Sequence, residues 1–156
     1  MKKIMTVFIF ALFSLLVCAQ DAKKVEIPNK IVGFWQQYIE MSPDAVSKSV
    51  DGKTSIDFSK IRQVDSIKSF DTSGKMTHVK FGMQGAVITS YSNYVVKDEN
   101  EYVETPVFCN YKFLEGRHIT VSVEFVSEEC FYTTFVIENR VYHEIWKRVK
   151  NADYIQ

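Results

Sequence analysis

Glycine is scarce in this chain, with six in 156 residues. Their scatter leaves no phosphate-cradling loop and no Gly-x-Ser-x-Gly nucleophile elbow. The three prolines, Pro28, Pro43 and Pro106, punctuate the sequence without dividing it, and no repeat or low-complexity tract appears. Neither charge sign prevails, since 19 Lys and Arg face 19 Asp and Glu. Without a basic cluster, nucleic acid is excluded as a partner, because a phosphate backbone demands concentrated positive charge. Past residue 20 no apolar run approaches the ~20 residues that span a bilayer, so no integral membrane segment is expected there. The three cysteines, Cys18, Cys109 and Cys130, form no Cys-x-x-Cys pair, and His78, His118 and His143 lie far apart. That spacing offers no zinc ligand set. His143-Glu144 opens like a zinc-protease motif, but Lys147 stands where the second histidine belongs. No metal, no cofactor and no catalytic residue are expected, and Ser, His and Asp show no spacing that selects a triad.

The first twenty residues are of a different kind. Lys2 and Lys3 precede an apolar run from Ile4 to Val17, and Val17-Cys18-Ala19 supplies a small-residue exit. These are the three parts of a secretory signal, so residues 1–19 are expected to be removed and the mature chain to begin at Gln20. The protein is then exported, periplasmic or secreted, with 17 basic residues against 19 acidic ones. The competing fate is a lipoprotein anchored through Cys18, against which stands the bulky branched Val17 at the preceding position. Residues 20–30 form a polar lead-in to one domain, 31–150, a size that supports one core.

Within that domain β-branched and aromatic residues alternate with polar ones, the period of half-buried strands. Nine strands are predicted, at 31–41, 64–71, 76–82, 86–97, 101–105, 107–114, 118–126, 130–137 and 141–149. Turn chemistry separates several of them, at Asp71-Thr72-Ser73-Gly74, Lys97-Asp98-Glu99-Asn100, Glu115-Gly116-Arg117 and Glu138-Asn139-Arg140. Residues 42–62 resist assignment and read as a long loop holding a helical turn or short strand. In 118–126, Ile119, Val121, Val123 and Phe125 share one face. Val107, Cys109, Tyr111 and Phe113 match it if Phe113 pairs with Ile119. That register sets Cys109 opposite Val123 and Cys130 one strand further over, so the two thiols are expected to stay unpaired. Short strands joined in sequence suit an antiparallel meander, which loses its edges by closing into a barrel. The expected fold class is all-β, a single antiparallel β-barrel of about eight to ten strands.

Two short motifs carry a resemblance. Ile31-Val32-Gly33-Phe34-Trp35 near the mature start resembles the Gly-x-Trp signature of lipocalins, and Arg148, in Glu144-Ile145-Trp146-Lys147-Arg148, matches the arginine of their last strand. The resemblance implies a lipocalin-like barrel in which Gly33, Trp35 and Arg148 close one end, the guanidinium stacked on the indole. Such a stack contributes ~0.5–2 kcal/mol. The chain also resembles a functionally uncharacterised family of exported bacterial lipocalin-like domains. The features are Phe70-Asp71-Thr72-Ser73-Gly74-Lys75, the stretch from Tyr94 to Glu104, and the terminal Glu144-x-Trp146-Lys147-Arg148. This likeness covers most of residues 30–150 and implies a fold without an activity.

The remaining candidates concern the barrel interior. Tyr38, Tyr91, Tyr94, Tyr102, Tyr111 and Tyr132 offer ring faces and hydroxyls that either line a cavity or fill a core. Glu144 and Arg148 either face a ligand or form a structural network, with Arg148 spent on Trp35 and Glu144 paired to Arg148 or Tyr142. Candidate ligand-lining residues are therefore Tyr38, Tyr91, Tyr111, Glu144 and Arg148. The reading favoured is an exported, non-enzymatic binder of a small apolar or amphipathic molecule. The alternative is a filled barrel acting as an envelope module for a protein partner of unknown identity, and the weakest reading is an enzyme using lumen residues. A cavity above ~300 Å³ favours the first and a filled barrel with an apolar patch near 42–62 the second. Perturbed carboxyls clustered in a pocket favour the third.

Overall fold

The computed structural model describes residues 30–150. The expected leader at 1–19, with Cys18, and the lead-in up to residue 29 lie outside the described residues. Ten strands run in chain order: β1 Gly33–Glu40, β2 Val46–Lys48, β3 Thr54–Ile56, β4 Ile61–Phe70, β5 Lys75–Gly82, β6 Gly85–Asp98, β7 Glu101–Cys109, β8 Ile119–Ser127, β9 Cys130–Ile137 and β10 Arg140–Arg148. Eight of them close into one antiparallel barrel in the order β1-β10-β9-β8-β7-β6-β5-β4, and β2 with β3 forms a separate hairpin. No helix of the described residues is long and apolar enough to cross a membrane.

Alternation explains the barrel's inner face. On β8, Val121 and Val123 are buried, with Ile119 and Phe125 packed against the same interior cluster, as the pattern at 118–126 predicts. Trp35, Phe70, Met76, Tyr94, Tyr102, Phe131 and Trp146 complete that cluster. The tight turns follow their residues too. Glu138 and Asn139 between β9 and β10 have φ of 49° and 64°, the left-handed pair that a two-residue hairpin needs.

Three expectations are corrected. The strands predicted at 101–105 and 107–114 are one strand, β7, ending at Cys109. Pro106 does not break it, because it sits beside the register shift between Tyr91 and Ser92 on β6, where a missing N–H is tolerated. Beyond Cys109 the chain turns inward through a 3₁₀ turn at Lys112–Leu114. The Glu115 carboxylate accepts from the Cys109 N–H at 3.1 Å, and Gly116 N–H donates to the Pro106 carbonyl at 2.8 Å. Ile119 therefore pairs with Glu104, not with Phe113. Both cysteines are free and buried, but Cys109 pairs with Ser90 and not with Val123. Cys130 pairs with Ser127 and Lys147.

The segment 42–62 holds β2, β3 and a 3₁₀ turn at Phe58–Lys60. It lies over the outside of the barrel, burying Ala45, Ile56 and Ile61 with Cys130, Tyr132 and Ile145 in a second cluster. Glu124 on β8 latches it, accepting from the Thr54 N–H at 2.6 Å and from the Thr54 hydroxyl. The protein thus has an inner core and an outer layer.

Candidate functional site

β1 and β10 pair with Trp35 opposite Arg148. Trp35 is wholly buried, its ring 4.5 Å from Phe131 and 6.3 Å from Phe125 between centroids. The Arg148 guanidinium carbon lies 4.1 Å from the Trp35 ring centroid. Its nitrogens donate to the carbonyls of Val32 at 2.9 Å and Lys30 at 2.8 Å, and the indole N–H donates to the Ile31 carbonyl at 2.7 Å. Gly33 makes room for this. Its φ is +134°, and a Cβ there would stand 2.6 Å from Arg148 Nη1. Arg148 is consequently spent on closure and does not reach the lumen as a ligand contact.

Toward the other end the aromatic packing stops and a cavity of about 670 Å³ opens. Its wall is mixed, with Met76, Leu114, Ile119, Val121 and Phe135 among its apolar residues and charged side chains toward its two ends. Its inner end is charged. Lys68 on β4 and Glu144 on β10 meet there, Nζ to Oε2 at 2.9 Å, and the Trp146 indole N–H donates to the same oxygen at 3.0 Å. The Lys68 ammonium also lies 4.6 Å from the Trp146 ring centroid. Glu104 on β7, 9% exposed, accepts from the Ser92 hydroxyl at 2.8 Å, and Ser92 is 3.1 Å from the Ser90 hydroxyl. His78 Nε2 lies 2.6 Å from the Ser66 hydroxyl.

Burial and charge set the protonation of this group. Burial opposes the charge on Lys68, but attraction to Glu144 and Glu104 and the Glu144 hydrogen bond outweigh it and raise its pKa. For Glu104 burial wins over Lys68 and the Ser92 hydrogen bond, and Glu144 adds to it, so its pKa is raised. Burial, reinforced by Lys68 and Lys80, lowers His78 to about 3, so it is neutral near pH 7. Two carboxyl groups therefore share one ammonium at the inner end of the cavity. Ionised side chains so deeply placed require partners.

The candidate lining residues separate accordingly. Glu144 faces the cavity, but its partner is Lys68 rather than Arg148 or Tyr142. Tyr111 lines the mouth and is 67% exposed, its ring 6.2 Å from Phe113. Tyr38 does not line the lumen. It faces outward by alternation, since Trp35 is buried inside and Gln37 lines the cavity, and it packs on the outer cluster with Lys147 Nζ 5.3 Å from its ring centroid. Tyr91 also lies on the outer face, since Ser92 and Tyr94 take the buried positions of β6. Tyr94 and Tyr102 fill the inner core, and Tyr132 belongs to the outer one. Among the described residues no cluster of His, Cys, Asp and Glu could hold a metal ion.

Lys68, Glu104, His78 and Ser92 were missed by reading the sequence. The signal existed. Lys68 falls between Ser66 and Phe70 on the inward parity of β4, and Glu104 is in phase with Tyr102 on β7. A charge in phase with the apolar face of a strand is either at an edge or in a lumen.

Residues 30–154 match a family model described as a domain of unknown function, DUF4488. No curated protein matches the chain.

Proposed function

The chain belongs to the DUF4488 family of domains of unknown function, and from that premise we propose that it is an exported, non-enzymatic binding protein. It holds a small apolar or amphipathic molecule inside its β-barrel. One observation carries the reading: a cavity of about 670 Å³ at one end of a barrel whose other end is plugged by Trp35 and Arg148. That volume lies within the ~300–1,000 Å³ of small-molecule sites, and its wall offers apolar surface together with charged groups at both ends, a lining matched to an amphipathic molecule. The cavity weighs against the alternative of a filled barrel acting as an envelope module for a protein partner. Export rests on the leader read at residues 1–19, with the periplasm or the medium as destination. Intact mass of the exported protein should place the first residue at Gln20, and a diacylglycerol-bearing Cys18 would reverse that part.

A second reading has a specific observation in its favour. Glu104, whose pKa burial raises, stands in the cavity wall with Glu144, and a perturbed carboxyl in a pocket is a signal of acid–base chemistry. Glu144, however, is already bound to Lys68 and Trp146, which leaves no free base facing Glu104. The test serves both readings. Protein purified under native conditions without added lipid is extracted with organic solvent and the extract examined by mass spectrometry. A bound molecule should be recovered from the native chain and in clearly smaller amount from Ile119→Trp, whose larger ring obstructs part of the lumen. Undiminished recovery from Ile119→Trp and also from Phe135→Asp, which places a charge in the apolar wall, would sink the lumen as the site. Conversion of the recovered molecule on re-addition would favour the enzyme.

A further inference from the structure

The cavity's polar groups are sorted along its length. The two acids that line it, Glu104 and Glu144, both belong to the buried inner group, while Lys80 and Arg140, which also line it, are exposed at the mouth. Among the described residues neither mouth cation has an ion-pair partner. They stand on β5 and β10, near the open ends of those strands. The Glu104 carboxylate has one hydrogen bond, from Ser92, although a carboxylate has about four acceptor sites. A donor arriving at the inner end gains a charge-assisted hydrogen bond. An anion arriving there meets two carboxyl groups and an ammonium already engaged at 2.9 Å by Glu144. At the mouth the preference is reversed, because an anion there faces two cations without partners.

Resting on the lumen-binding reading, we infer that the ligand is an amphiphile polar at both ends. A hydrogen-bond donor, hydroxyl or amine, leads to Glu104, and an anionic group trails between Lys80 and Arg140. The apolar body lies along Ile119, Val121 and Phe135. This orientation sets the protein apart from a carrier that buries a carboxylate head against an inner cation, because here the inner cation is taken.

Four twelve-carbon compounds that differ only at their ends test it by calorimetric titration of the purified protein: 12-hydroxydodecanoate, dodecanoate, 1,12-dodecanediol and dodecanedioate. The hydroxy acid should bind about tenfold or more tighter than each of the others, the value of one charge-assisted hydrogen bond or ion contact. Glu104→Gln should narrow the gap between the hydroxy acid and dodecanedioate, because it removes the repelling charge with little change of shape. Lys80→Ala combined with Arg140→Ala should erase the advantage over the diol, weakening the hydroxy acid by far more than the diol, whose neutral end gains no ion contact there. Equal affinity for all four compounds, or ratios unmoved by these variants, would overturn the inference while lumen binding stands. No heat from any of the four, together with no co-purified molecule, would overturn lumen binding and this inference with it.

Discussion

The two ends of the barrel are built from the same strands and behave oppositely. β10 passes from Tyr142 and Glu144 in the cavity to Trp146 and Arg148 at the plug, and β9 from Phe135 in the cavity wall to Phe131 against Trp35. At the plug, large rings meet edge to face and the Arg148 guanidinium donates to the Val32, Lys30 and Glu128 carbonyls. At the open end, apolar side chains share the wall of a cavity with charged and polar ones, and the charges are paired only in part. The two ends differ in volume, in partners and in the polarity of what lines them. Closure concentrates stability at one end, which lets the other keep a cavity and buried charges that cost stability.

The largest effect expected from this contrast is on Trp35. Trp35→Ala should destabilise by about 3–5 kcal/mol, as for buried aromatics elsewhere. Ile119→Ala, which enlarges an existing cavity, should cost no more than about 2 kcal/mol. Denaturant midpoints at constant m would show this, and equal losses would break the comparison.

The open end should supply the pH dependence. The folded-state pKa of His78 is held at about 3 against an ordinary 6.5, so the unfolded chain binds more protons between these values. The stability it contributes is present above pH 6.5 and is lost as pH falls toward 3, roughly 3–5 kcal/mol over the full span. Glu104 acts with the opposite sign. Its raised pKa makes stability fall as pH rises through that value from its ordinary range. Urea midpoints between pH 7 and 4.5 should decline in the native protein and flatten in His78→Gln. An unchanged slope in that variant would remove His78 as the cause.

Arg148→Ala should cost about 2–3 kcal/mol, from the lost stack and the lost backbone hydrogen bonds. A double-mutant cycle of Trp35→Phe with Arg148→Lys, read by unfolding, should show coupling, because both substitutions alter one contact. A cycle with no coupling energy would separate the plug into unrelated parts. The smallest effect belongs to the outer layer. Thr54→Val removes the side-chain half of the Glu124 latch and should cost about 1 kcal/mol. Amide exchange at residues 45–57 should speed up while lumen binding is untouched. A change in lumen affinity would show that the outer layer and the cavity are not independent.

Most of the fold was legible in the chain, and much less of the candidate site. Alternation in 118–126 decides which residues face inward, because successive side chains of a strand point to opposite faces. The turn residues at 71–74 and 138–140 mark where strands end, and the resemblance to the lipocalin signature implied that Gly33, Trp35 and Arg148 meet across the whole chain. Alternation does not decide what lies on the far side of a face. Tyr38 and Tyr91 carry the aromatic character expected of a lining, yet Tyr38 is out of phase with Trp35 on β1 and Tyr91 with Ser92 and Tyr94 on β6, which puts both outside. Residues 42–62 have too few periodic positions to show that they cover the outer face. Lys68, Glu104 and Glu144 are far apart in sequence and meet only because β4, β7 and β10 curve around one space. Whether that space stays open depends on strand curvature and register, which bulges at Gln36/Tyr38 and Tyr91/Ser92 set. Composition and period therefore determined an antiparallel barrel, and the short motifs shared with lipocalins implied its plugged end. The cavity, its charged inner end and its cationic mouth were decided by tertiary packing, because each is made of residues that only closure of the sheet brings face to face.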